Sequence, residues 1–167
     1  MAITPAEMGP AMPTAVARYE FRCSFRAPLD FVFRWCTDYS ERDPQLEGAS
    51  FRRKIVRRSP REVVFEDLEE AASGWVWRRG IVALHPPKRW TARSIGNHRS
   101  WTLDYRLRAL GDGRTELRWR GRRRATELGG PNPSAAAMQR EMRRIWTRFG
   151  RALEREYRAL RRPRGRP

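Results

Sequence analysis

Aromatic residues recur along this chain at spacings that would bring their side chains to shared faces. Tyr19 and Phe21, then Trp77, then Trp101 and Tyr105, then Trp119 fall on the apolar parity of successive strand-like segments. Met142, Trp146 and Phe149 follow at steps of three and four, the spacing of one helical face. Rings gathered around a void would line a pocket for a planar or acyl molecule. The same rings, in a chain with seven tryptophans, could instead fill that space, as close-packed cores do. Inward polar groups would set the specificity of such a pocket. Arg79 shares the parity of Trp75 and Trp77, and from there it could hold a carboxylate or phosphate or stand at the rim in water. Asn97 and His98 lie at a turn beside it. For proton transfer the chain offers His85 and His98, and a residue of this kind at a cavity mouth could move a proton from a carbon next to a carbonyl. No carboxylate pair accompanies either histidine, so the catalytic candidates are His98 and Arg79 and no more.

Other chemistries find no matching pattern. Cys23, Cys36, His85 and His98 lack the spacing of a zinc site, and no metal is expected. Glycine-rich phosphate loops, serine elbows and dinucleotide fingerprints do not occur, so no cofactor is expected. Cys23 falls on the apolar face of a strand and reads as core. The acidic run Glu66-Asp67-Leu68-Glu69-Glu70 either pairs with Arg52, Arg53 or Arg57 on a neighbouring strand or marks a solvated hairpin end. Asp104 has outward parity and reads as a surface partner of nearby arginines.

The elements that must position these residues follow from period and punctuation. Residues 15–25 alternate as a strand, and Pro28 suits the first position of a short aromatic helix over Leu29 to Cys36. A second short helix or turn covers about 40–47, with Gly48 as its stop. Strand-like segments follow at 50–58, 62–70, 74–84, 89–95, 99–109 and 114–124, separated by turn residues such as Gly111-Asp112-Gly113. A long helix runs from about Pro133 to Arg162, with Ser134 as a candidate cap and an apolar stripe from Met138 through Leu153 and Tyr157 to Leu160. That helix is too polar on its other faces to stand alone and must lie against something. The fold class is therefore α+β: a curved seven-stranded antiparallel sheet wrapped on a long C-terminal helix, with two short helices after the first strand. Residues 1–14 read as a disordered lead, 15–162 as one domain and 163–167 as a basic tail.

The formal net charge is +17, and Lys54 and Lys88 are the only lysines among 36 basic residues. Arginine skew of that kind fits a GC-rich coding sequence, although the charge would still attract polyanions or an acidic membrane at low salt. From Arg140 to Arg166 eleven arginines face Glu141, Glu154 and Glu156. With two cysteines, no signal-peptide pattern and no long apolar run, the expected compartment is the cytoplasm.

The strand Tyr19–Phe25, the junction Phe25-Arg26-Ala27-Pro28-Leu29-Asp30-Phe31-Val32-Phe33, the Asp38-Tyr39 step, the hairpin Gly111-Asp112-Gly113-Arg114-Thr115 and the closing helix together resemble the START-like superfamily. This superfamily is also called Bet v 1-like or SRPBCC, and the likeness is greatest to its polyketide cyclase/dehydrase-like members. It spans residues 15–162. It implies a helix-grip fold with a hydrophobic cavity between sheet and last helix, and binding of lipids, polyketides, sterols or quinones. A minority of members are enzymes, and some relatives bind chaperones or ribosomes. The leading expectation is a carrier or sensor of a small hydrophobic ligand, as monomer or homodimer. A polyketide cyclase or aromatase, or a basic module for RNA, the ribosome or an acidic partner, are the alternatives.

Overall fold

A computed structural model of the chain describes residues 16–161, apart from Ser73 and Glu127. The expected lead 1–14 and tail 163–167 lie outside the described residues. Each alternating segment forms a strand: β1 (Val16–Phe25), β2 (Arg52–Arg58), β3 (Glu62–Ala71), β4 (Gly74–His85), β5 (Arg89–Gly96), β6 (Arg99–Leu110) and β7 (Arg114–Ala125). The helices are α1 (Leu29–Cys36), α2 (Asp43–Glu47) and α3 (Ala135–Arg161). All seven strands join one antiparallel sheet in the order β1-β7-β6-β5-β4-β3-β2. The chain therefore places its first two strands on opposite edges and spans the gap with α1 and α2.

Local chemistry sets the boundaries. Asp112 (φ 63) and Gly113 (φ 68) are both left-handed, the backbone that a tight hairpin with the native strand twist requires. Gly48 ends α2 with φ 69 and a capping bond from its N–H to Gln45. Pro28 differs from expectation: it is extended (φ −70, ψ 155) and stands as the N-cap of α1, not as its first residue. The Ser134 side chain accepts from the Ala137 N–H at 3.2 Å and caps α3 as expected.

The concave face of the sheet holds the core. Phe25, Val32, Val63, Val82, Trp90, Leu117 and Leu153 are fully buried in one cluster. Tyr19, Phe21, Trp119 and Met138 form a second. The stripe of α3 lies in this groove from Met138 to Tyr157. Its last expected member, Leu160, is 74% exposed, because the helix has by then passed the edge of the sheet. Two of its few acids fasten the helix. The Arg26 N–H donates to Glu154 at 2.8 Å, and the Trp35 indole donates to Glu156 at 3.0 Å.

One strand corrects the expected parity. On β4 the inward residues are Arg78, Gly80 and Val82, whereas Trp75, Trp77, Arg79 and Ile81 are exposed on the convex face. Register explains it. Arg78 stands opposite Asp67 and reaches its carboxylate, while Gly80 stands opposite Phe65. A Cβ at Gly80 would meet the Phe65 ring at 2.3 Å, so only glycine fits there. The convex tryptophans continue an apolar patch with Leu68 and Ile95.

The two ends of the α3 stripe should respond differently to truncation. Leu153→Ala, at a fully buried position, is expected to cost about 2–5 kcal/mol by urea unfolding. Leu160→Ala is expected to stay within about 0.5 kcal/mol of the parent.

Candidate ligand-binding site

Between the sheet and the N-terminal half of α3 the packing leaves a cavity of about 240 Å³. Large flat side chains wall it. Trp90 and Tyr105 stack at 4.7 Å with a 7° interplanar angle, Trp101 tilts on Trp119 at 5.9 Å, and Trp146 tilts on Phe149 at 5.5 Å. Six of the expected residues line this space: Trp101, Tyr105, Trp119, Met142, Trp146 and Phe149. Tyr19 and Phe21 do not. They are buried behind Trp119 and Met138, and the Tyr19 hydroxyl donates to the Pro133 carbonyl at 2.7 Å.

The remaining expected residues stand elsewhere. Trp77 and His98 border a smaller recess of about 140 Å³ beside the cavity. Arg79 points away and donates to Glu66 at 3.1 Å. Asn97 clamps the start of β4, accepting from the Trp77 N–H at 2.9 Å and donating to the Trp75 carbonyl at 2.7 Å. His85 is exposed at the end of β4. Neither catalytic candidate, His98 or Arg79, faces the main cavity.

The polar groups that do face it come from other positions. Arg53, buried on β2, makes a two-pronged contact with Asp67 of β3, Nε to Oδ1 at 2.8 Å and Nη2 to Oδ2 at 3.0 Å. It also donates to Asp43 of α2, and its guanidinium lies 4.1 Å from the Phe65 ring centroid. Arg78 completes the group, with Nε 3.0 Å from Asp67 Oδ2. Asp67 is thus the member of the acidic run that pairs inward, with Arg53 as one of its three expected partners. Burial pushes the Asp43 carboxyl up to about 7, outweighing the opposing pull of Arg53. Burial also raises the Tyr39 and Tyr105 phenols and the Cys36 thiol, so these wall groups keep their protons at neutral pH. Cys36 is therefore no nucleophile. Among the described residues no cluster of His, Cys, Asp or Glu could hold a metal.

Two polar atoms in the wall have no partner. The Trp90 indole lies beside the Tyr39 phenol, whereas Ser94 Oγ and Arg123 Nε are buried without a hydrogen bond, and Ser94 and Arg123 both line the same cavity. Arg99 borders it as well. The signal for both arginines was present in the alternation: the parity that turns Trp101 inward also turns Arg99 inward, and Trp119 brings Arg123.

No family model and no curated protein matches the sequence, whereas solved structures do. The Zhui aromatase/cyclase from Streptomyces sp. R1128 superposes with a TM-score of 0.65 at 14% identity, over 91% of this chain and 100% of that one. The di-domain ARO/CYC StfQ from the steffimycin biosynthetic pathway gives 0.61 at 21% identity over 82% of this chain. The chain spans 44% of that di-domain protein's length. A START superfamily protein from Mycobacterium smegmatis gives 0.59 at 15% identity, over 86% of this chain and 98% of that one. The chain has the helix-grip fold of these structures. One fold hosts many activities, so function must be argued from the cavity. No helix is long and apolar enough to cross a membrane among the described residues.

Two tests address the buried charges. A carboxyl with a folded value near 7 keeps its proton where the unfolded chain, near 3.8, has lost it. Its contribution to stability therefore falls as pH rises from about 4 to about 7 and is level above. Asp43→Asn should flatten that part of the stability curve in urea titrations compared with the parent. Asp67→Ala would leave Arg53 buried and short of its main partner, an expected loss of about 3–5 kcal/mol in the same assay.

Proposed function

We propose that the protein binds a small, mostly apolar ligand bearing hydrogen-bond acceptors in the cavity between sheet and α3, as a cytoplasmic carrier or sensor. The observation that carries this reading is that Ser94 Oγ and Arg123 Nε are buried and unpartnered in residues that line one aromatic-walled space. A buried donor without an acceptor costs about 1–3 kcal/mol. A ligand with oxygens facing these donors offsets that cost while its rings or chain lie on the aromatic walls. The volume, about 240 Å³, falls just below the usual range for ligand sites, about 300–1,000 Å³. A small ring system, such as a quinone or a short polyketide-derived product, fits that space better than a long-chain lipid.

A second reading, a cyclase-type enzyme, draws support from two phenols that burial keeps protonated beside the cavity, Tyr39 and Tyr105. Such donors could polarise a carbonyl. Two of the similar structures, Zhui and StfQ, are an aromatase/cyclase and a di-domain ARO/CYC, which points the same way. Loss of turnover in Tyr105→Phe with unchanged ligand affinity would favour this reading over a carrier.

The binding reading is tested by thermal shift and tryptophan quenching against a panel of quinones, aromatic ketones and short acyl compounds. A ligand at a hundred times its Kd adds about 2.7 kcal/mol of stability, a rise of several degrees in Tm. Met142→Trp, which fills the lined space, should abolish both signals while the protein stays folded. A panel with no active member, or binding that survives Met142→Trp, overturns the reading.

A further inference from the structure

Arg99 and Arg123 are diagonal neighbours on the concave face where β6 meets β7, since Arg99 stands opposite Ala125 and Trp101 opposite Arg123. Arg123 is 5% exposed, and its Nε has no hydrogen-bond partner. Neither residue makes an ion pair among the described residues, unlike Arg53 and Arg78, which share Asp67. A lone buried guanidinium is costly, and one set among aromatic rings at a cavity wall is a site prepared for an anion. Arg78 and Arg99 also border the neighbouring recess. Glu47 and Glu141 line the cavity too, but burial holds the Glu47 carboxyl up. Glu141, exposed on α3, and Glu69 exert a weaker pull on Arg99 than the push of Arg123 and Arg78. A bound anion would offset the repulsion among these arginines.

We propose that Arg99 and Arg123 form an anion subsite of the cavity. This subsite seats the carboxylate or phosphate of an amphipathic ligand whose apolar body lies against Trp101, Trp119 and Trp146. The proposal rests on the ligand-binding reading above and narrows its ligand to an acid. A planar carboxylate and a phosphate monoester present the same anionic oxygens to a guanidinium, and the experiment separates them.

The full chain is titrated calorimetrically with 2-naphthoate, 2-naphthyl phosphate and neutral 2-acetylnaphthalene. The anions are expected to bind about tenfold or more tighter than the ketone, as charge-assisted bonds to buried arginine imply, and the tighter of the two identifies the headgroup. Arg123→Met and Arg99→Gln should each lose about tenfold or more for the preferred anion and leave the ketone nearly unchanged. Arg93→Gln, an equal charge loss at an exposed site outside the cavity, should change neither. Ligand-free Arg123→Met should melt higher than the parent, because an unpaired buried charge is replaced by an apolar stem. Arg99, exposed at the strand start, gives a variant whose folding is not at issue. If ketone and anions bind equally, the subsite is overturned and the cavity reading stands. The subsite also fails if Arg93→Gln weakens the anions as much as Arg123→Met does. If no probe binds, both readings fall for ligands of this size.

Discussion

The ion pair between Arg53 and Asp67 is the interaction on which the rest of the molecule depends. Arg53 lies on the inner face of an edge strand, where a charge is expensive unless fully matched. The matching draws in four elements: β2 carries the arginine, β3 carries Asp67, α2 brings Asp43 and β4 brings Arg78. Each member thereby fixes a position that apolar packing alone would leave loose. The short helix α2, only five residues long, has little apolar surface with which to hold itself to a sheet. Its link to Arg53, and the bond from Arg148 to the Glu47 carbonyl at 3.0 Å, hold it across the open side of the groove. Without that closure the concave face would be an open trough.

The cavity follows from what the closed groove is filled with. A single sheet of seven strands bends far enough to face one helix but not to close on itself. The helix meets the sheet fully near Leu153 and less fully near Met142. Aromatic side chains span the wider part, and their rigidity leaves space. Arg53 and Arg78 share Asp67 on one part of the cavity wall. Arg99, within reach of the Arg78 charge, and Arg123 line it without an ion pair among the described residues, with Glu141 on the helix. The cavity wall is therefore basic as well as aromatic.

Most of the fold was legible in the sequence because period-two alternation and turn residues carry it. Gly48, the Gly111-Asp112-Gly113 turn and the α3 stripe all stand where their chemistry places them. The failures share one physical cause. At the start of β4 the apolar residues Trp75 and Trp77 face solvent, and hydrophobicity alone assigns them to the inside. Cross-strand partners decide otherwise: Asp67 takes Arg78, and the Phe65 ring takes the space above Gly80. Parity read from one strand in isolation cannot include that competition. Arg99 and Arg123 were hidden for a different reason. In β6 and β7 arginine occupies both faces, so its presence inside does not stand out against its abundance outside. The convex face shows that abundance, where Arg118, Arg120 and Arg22 crowd Glu20 and hold its carboxyl down to about 2.

The long helix is fastened unevenly, and this has a dynamic consequence. Its C-terminal half is anchored by Ala152 and Leu153 in the core, by Glu154 and Glu156 on α1 and its preceding loop, and by Tyr157 against Phe31 at 5.1 Å. Its N-terminal half has the cavity behind it and packs fully only at Met138. Local opening draws on the least packed segments first, so amide protection along α3 should climb from its first turns toward its last. The helix is thus held at its far end and backed by empty space at its near end, so local opening at the near end would widen the space beneath it and leave the sheet intact. The Tyr19–Pro133 bond just before the helix begins ties that near end back to β1.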